Sequence, residues 1–232
     1  MARLLAQAGM AAQFSYAGRT AAPVAQPLPT RIGGFGGPEG LARHLRDGGF
    51  THLIDATHPF AAQIGANAVV AAALAGVPLL VLQRPEWRAG AGDDWCHVRD
   101  VEQAAQALPR QRANVFLAIG KQNLAAFGGL PHRFLLRLVD EPAALPLPDA
   151  QVVVARGPFT AQGDTRLMRD HAVTHLVAKN AGGTGAAAKL EAARSLGVRV
   201  VMIDRPAMPP RQVVDSPELA MAWLHQLAPR GV

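Results

Sequence analysis

Residues 176–206 carry the densest chemistry in this sequence. Lys179 and Asn180 stand where the apolar run Leu176-Val177-Ala178 gives way to Gly182-Gly183-Thr184-Gly185. A helical stretch and a second apolar run follow, ending at Arg205-Pro206. The pattern predicts strand, glycine turn, helix and strand. In a parallel α/β sheet, ligands bind in the crevice outside the carboxyl ends of the strands. Glycines there admit a close approach, and N–H groups at a helix start attract phosphate or carboxylate. A lysine and an asparagine at that point predict an anion-binding site.

Other strand ends carry further chemistry. Ser15-Tyr16-Ala17-Gly18-Arg19-Thr20 ends a predicted strand. An acid there marks NAD in dinucleotide folds, whereas a nearby arginine accommodates the 2′-phosphate of NADP. Here there is no acid, and Arg19 sits beside Thr20; the alternative is a solvated loop arginine. Gly33-Gly34-Phe35-Gly36-Gly37 is either a ligand-contacting turn or a plain flexible one. In Asp55-Ala56-Thr57-His58-Pro59-Phe60-Ala61, Thr57 or His58 is placed to cap a helix that Pro59 opens. Its functional reading sets His58 and Phe60 against a flat conjugated ligand or the nicotinamide; its structural reading makes His58 a capping residue. Trp87, in Arg84-Pro85-Glu86-Trp87, either walls a planar ligand or packs a core. Arg156-Gly157-Pro158-Phe159 repeats the strand-to-helix design, and Arg205 adds a cation at another strand end. The eight histidines lack metal-ligand spacing and Cys96 is the single cysteine, so no metal site is expected.

The elements that must position these residues alternate in the α/β manner. Strands are expected at 11–17, 31–35, 51–56, 77–82, 115–119, 134–139, 151–155, 173–178 and 198–203, with another short strand ending at Val98. Helices are expected at 38–47, 59–75, 101–108, 122–127, from Phe159 to His171, at 185–196 and at 217–227. Continuous apolar strands between helices indicate parallel sheets covered on both faces. The expected architecture is therefore α/β, two Rossmann-like lobes with parallel sheets and a ligand cleft between them, divided into 1–112 and 113–232. A full Gly-x-Gly-x-x-Gly fingerprint is absent. The sequence begins inside what should be the first helix, so the first strand and its glycine-rich loop are expected to be missing from the N-terminal lobe. Net charge is +6 and the pI about 10.6, which favours anionic partners. The charges are scattered and aromatics make up only 5%, which disfavours nucleic acid and favours a small polyanion. No membrane span or signal peptide is read from the sequence, and a cytoplasmic protein is expected.

Taken together, the motifs resemble the precorrin-6A reductase family of cobalamin biosynthesis. The matching pieces are Ala17-Gly18-Arg19-Thr20, Gly33 to Gly37, Asp55 to Ala61, Arg84-Pro85-x-Trp87, Arg156 to Phe159, Lys179-Asn180-x-Gly182-Gly183, Lys189-Leu190-x-Ala192-Ala193-Arg194 and Arg205-Pro206. The resemblance implies NADPH and hydride transfer to a ring double bond of precorrin-6A, a tetrapyrrole with many carboxylates, giving precorrin-6B. It implies that Arg19, Thr20, Gly34, Phe35, Lys179, Asn180, Gly182 and Gly183 serve the cofactor, the second group holding pyrophosphate, nicotinamide or a substrate carboxylate. His58, Phe60, Arg156, Phe159 and Arg205 are then expected on the tetrapyrrole side. Ala181 stands where the family usually has serine, and Gln162 where it has the first of two acids. That leaves Asp164 as the surviving acid and a candidate proton donor. Two other readings stand beside this one: a reductase of cobalt-precorrin-6A, and a tetrapyrrole or nucleotide binding module without turnover.

Overall fold

The computed structural model describes residues 1–18, 24–142 and 144–227. The chain opens with α1 (Ala2–Gln7), β1 (Phe14–Tyr16), β2 (Thr30–Ile32), α2 (Gly37–Asp47), β3 (Leu53–Asp55), α3 (Ala62–Ala75) and β4 (Leu79–Leu82). It continues through β5 (Trp95–Val98), α4 (Val101–Gln106), β6 (Asn114–Ala118), a 3-10 helix (Lys121–Phe127), β7 (Arg133–Leu138), β8 (Ala150–Val154), α5 (Ala161–Asp170), β9 (His175–Lys179), α6 (Ala188–Leu196) and β10 (Arg199–Ile203). Then come β11 (Gln212–Val214) and α7 (Pro217–Leu227). Among the described residues the strands form three sheets, and every pairing is parallel. The α/β expectation with parallel sheets is met.

The chain divides into two compact units, Met1–Arg84 with Ala207–Val232, and Pro85–Pro206. This differs from the expected division at residue 112, which falls between α4 and β6, inside the second unit. Two pairings account for it: β5 joins the second unit's sheet beside β10 (Val200↔Trp95), and β11, a three-residue strand that sequence reasoning did not see, joins the first. Strand β11 pairs with β4 through Gln212↔Leu80 and Val214↔Leu82, so the chain returns to the first unit after residue 206.

In the first unit, the sheet β11-β4-β3 shows the alternation that two covered faces require. Leu53 and Leu79 pack with Leu41, Leu45 and Ala68 of α2 and α3. Ile54 and Leu80 turn the other way, against Leu5, Ala220, Trp223 and Leu224. Strands β1 and β2 form their own parallel pair. Helix α3 begins at Ala62, later than Pro59 led one to expect. Asp55 explains the delay: its Oδ1 accepts from both the Thr57 N–H (3.0 Å) and the Thr57 hydroxyl (2.6 Å). Such Asx turns compete with helix, and Thr57 is thereby committed to Asp55 and not to a cap.

In the second unit the order β5-β10-β9-β6-β7-β8 places the most apolar strands centrally. Leu117 of β6 aligns with Val177 of β9, which aligns with Val201 of β10, and all three are buried. Phe116, Leu176, Ala178, Val200 and Met202 form one core with Met168 of α5 and Ala192 and Ala193 of α6. The small alanines let α6 lie close to the sheet, where each buried methylene contributes about 0.8 kcal/mol. This packing fixes the carboxyl ends of β7 to β10, which carry most of the residues named above.

Candidate functional site

In the first unit, the carboxyl ends of β3, β4 and β11 border a cavity of about 330 Å³, lined by Thr57, His58, Leu82, Gln83, Arg84 and Asp215 among others. This is the crevice position where parallel sheets bind ligands. The His58 and Phe60 rings lie 5.8 Å apart, and His58 Nδ1 accepts from the Phe60 N–H at 3.2 Å. Gln83 and Asp215 were not singled out in the sequence. Arg211 Nη2 donates to Gln83 Oε1 at 3.2 Å, so the Gln83 NH₂ is the end left to donate.

The glycine turn before α2 is organised by Arg31, another residue the sequence did not flag. Its guanidinium donates to the carbonyls of Gly33 (2.5 Å) and Gly34 (2.7 Å) and lies 4.1 Å from the centre of the Phe35 ring. Phe35 packs against the core of α2 and α3, while Gly34 is exposed. Gly40 is obligatory here, because a Cβ on it would lie 1.8 Å from the Phe35 carbonyl oxygen. Arg19 and Thr20 lie outside the described residues.

In the second unit, the turn after β9 is braced on three sides. Asn180 is buried, and its carboxamide takes up the main chain of Trp87. Oδ1 accepts from Trp87 N–H at 2.8 Å, and Nδ2 donates to Trp87 C=O at 3.1 Å. The indole N–H of Trp87 donates to Gly183 C=O at 2.7 Å. Arg205, only 10% exposed at its side chain, donates to the carbonyls of Asn180 (3.0 Å) and Ala181 (3.4 Å) and pairs with Glu86 at 3.6 Å. Lys189 lies 4.6 Å from the centre of the Trp87 ring and donates to Ala186 C=O at 2.5 Å. Gly182, at φ +70°, sits where a Cβ would be 2.1 Å from Pro85 O, so no side chain fits between turn and brace. Lys179, at the end of β9, is half-buried, and burial pushes its ammonium below the ordinary lysine value. A charge held there at a desolvation cost gains from an incoming anion.

On the same sheet edge, Arg156 is exposed and lies 3.9 Å from Asp140, just past β7. Phe159 stacks on a guanidinium that sequence reasoning missed, that of Arg137 in β7, 3.6 Å from its ring centre. Arg137 is also paired through both nitrogens with Asp164 in the first turn of α5, and both side chains are almost wholly buried. Both carboxylate oxygens of Asp164 are taken up by the Arg137 fork, so the geometry gives Asp164 the work of holding Arg137.

Lys179, Asn180, Gly182, Gly183 and Arg205 are thus brought together in one braced turn. Arg156, Phe159 and Asp164 gather separately at the β8–α5 connection. His58 and Phe60 share the first unit's cavity edge, and Gly34 and Phe35 share the Arg31 turn. Among the described residues, no group of three or more His, Cys, Asp or Glu is placed to hold a metal, and no helix is long and apolar enough to cross a membrane.

Known proteins match this arrangement along its length. A precorrin-6A reductase of Rhodobacter capsulatus is 60% identical over 236 residues, covering 100% of this chain and 94% of its own. One of Rhodococcus erythropolis is 45% identical, covering 96% of this chain and 90% of its own. A solved structure described as CobK precorrin-6A reductase superposes with a TM-score of 0.94 at 60% identity, covering 100% of this chain and 94% of that one. By contrast, a cobalt-precorrin-6A reductase of Priestia megaterium is 31% identical over 72% of this chain and 70% of its own. The family model for "Precorrin-6x reductase CbiJ/CobK" matches residues 1–225, from α1 into α7, and so takes in both units and every motif described above: the chain belongs to that family.

Proposed function

We propose NADPH as the hydride donor for this chain's reaction, the reduction of a ring double bond of precorrin-6A to precorrin-6B in corrin ring biosynthesis. The observation that carries the reaction is the 60% identity to a precorrin-6A reductase along the full chain. The lower and partial identity to the cobalt-precorrin-6A enzyme of Priestia megaterium favours the metal-free substrate. A dinucleotide phosphate suits the donor set here: a glycine turn whose carbonyls are already taken up by Arg31, and a half-buried lysine beside a second glycine turn.

NADPH would supply a hydride when bound, and the protein's work is binding and orientation. Arg19 and Thr20 are assigned to the adenosine phosphate, and Gly34 and Phe35 to the same cofactor. Lys179, Gly182 and Gly183 hold a phosphate or a carboxylate, with Asn180 and Arg205 keeping their turn in place from behind. His58, Phe60, Arg156 and Phe159 are assigned to the tetrapyrrole. The proton that must accompany the hydride comes from water, since Asp164 is held by Arg137. Holding reactants in a productive geometry can supply several kcal/mol of the barrier. The protein is assigned to the cytoplasm.

Fluorescence titration with NADPH and NADH tests the cofactor. NADPH should bind at least about tenfold tighter, and Arg19→Ala should erase most of that preference. Equal binding of both by the unaltered chain would sink the 2′-phosphate assignment. Turnover of precorrin-6A beside its cobalt complex decides between the two substrates.

A further inference from the structure

The Arg137 guanidinium lies over two phenylalanine rings, with centres 5.3 Å (Phe116) and 3.6 Å (Phe159) away, and its fork closes on the Asp164 carboxylate. Only 10% of the Arg137 side chain and 4% of that of Asp164 are exposed. As a source of stability this is a poor choice. A buried ion pair often does no better than apolar residues of the same volume. What an apolar pair cannot do is fix a plane. The two-point contact with Asp164 sets the plane of the guanidinium, and an aromatic ring stacked on a cation inherits its orientation.

Asp164 and Phe159 lie on the same short stretch. Thr160 between them caps α5, its Oγ1 accepting from Gly163 N–H at 3.1 Å. Arg137 therefore holds the end of the β8–α5 connection and the first turn of α5 against β7. Arg156 at its start is drawn to Asp140, which also follows β7.

We propose that Arg137 is a positioning residue for the tetrapyrrole: it holds the Phe159 ring as a fixed wall, with Asp164 fixing the guanidinium. This rests on the assignment of Phe159 to the tetrapyrrole side. It requires that a flat cation, and not merely a filled space, sit beneath the ring.

Steady-state kinetics on the full chain, varying precorrin-6A and NADPH separately, test the proposal. Arg137→Lys keeps the charge but has no flat face. Arg137→Met with Asp164→Leu fills the space and strands no charge. Both should fold, raise the KM for precorrin-6A by about tenfold, and leave kcat and the NADPH KM within about twofold. Phe159→Ala should raise the same KM. A precorrin-6A KM that stays at the unaltered value in either folded Arg137 variant, while Phe159→Ala raises it, overturns the positioning role and leaves Phe159 on the substrate side. A Phe159→Ala enzyme with unchanged KM removes the assignment underneath, and the proposal with it. An equal rise in the NADPH KM also overturns it, since a general loosening of the fold would do that.

Discussion

The carboxamide of Asn180 and the main chain of Trp87 bond to each other as two strands would, at 2.8 and 3.1 Å, although the residues stand 93 positions apart. A buried amide satisfied at both ends is worth more than two average hydrogen bonds, because removing it leaves a peptide group unpaired. Asn180→Ala should therefore cost about 2–4 kcal/mol in urea unfolding. Asn180→Asp, of the same size, keeps the acceptor but faces a carboxylate to the Trp87 carbonyl, and should cost at least as much. An aspartate variant as stable as the unaltered chain would show that the donor half of the pair contributes nothing.

Gly40 sets the approach of α2 to the glycine turn. Alanine in a helix interior normally gains about 1 kcal/mol over glycine. Here its Cβ would lie 1.8 Å from the Phe35 carbonyl, so Gly40→Ala should lose about 3 kcal/mol instead. It should also weaken NADPH binding by displacing Phe35. Thermal melts with and without NADPH measure both effects; a gain in stability would contradict the close approach.

Lys179, if it holds the anion as proposed, should set an alkaline limit on binding. Burial lowers its pKa below the ordinary 10.5, so its positive charge is lost earlier than an exposed lysine's as pH rises. Ligand KM should climb through that window, and Lys179→Arg, charged throughout, should flatten the climb. Protein stability moves oppositely: an unfolded chain binds this proton more tightly, so stability rises with pH across the same window. A KM profile that is the same in both proteins would remove Lys179 from anion binding.

His132 sets an acid limit on folding. It is 2% exposed, its Nδ1 accepts from the Ala113 N–H at 3.2 Å, and burial lowers its pKa below 6.5. His175 is lowered first by burial, then by Arg199 and His132. With folded values below the unfolded ones, both histidines leave stability intact above about pH 6.5 and erode it as pH falls towards their folded values. His132→Asn retains an acceptor for Ala113 and should show a smaller fall in Tm between neutral and mildly acid pH. An identical fall would place the acid sensitivity elsewhere.

Much of the fold was legible because the second unit's strands are unbroken apolar runs: 115–119 and 198–203 read as strands directly, and α7 was read with the bounds it has. β11 was not legible, since Gln212-Val213-Val214 is too short to show a period and acquires meaning only by pairing with β4. Missing it hid the return of the chain to the first unit after residue 206, and the division at 112 missed the pairing of β5 with β10. At the site, glycine and cation motifs were visible as local strings. Their supports were not, because Asn180–Trp87, Arg137–Phe159 and Arg31–Gly33 are matters of contact. Arg137 in Phe134-Leu135-Leu136-Arg137-Leu138 looks like a stray charge in a strand until α5 brings Asp164 to it.

The second unit is an insertion: the chain leaves the first unit at Arg84 and re-enters it at Ala207, and the two ends of the insert are joined by Glu86 and Arg205. During synthesis, every strand of the inserted sheet has left the ribosome once residue 203 is out, whereas β4 still waits for β11, and Leu80 for Trp223. Domains commonly mature in order from the amino end. Here the first unit cannot be completed until the second has been made, because α7, which covers Ile54 and Leu80, comes last in the chain.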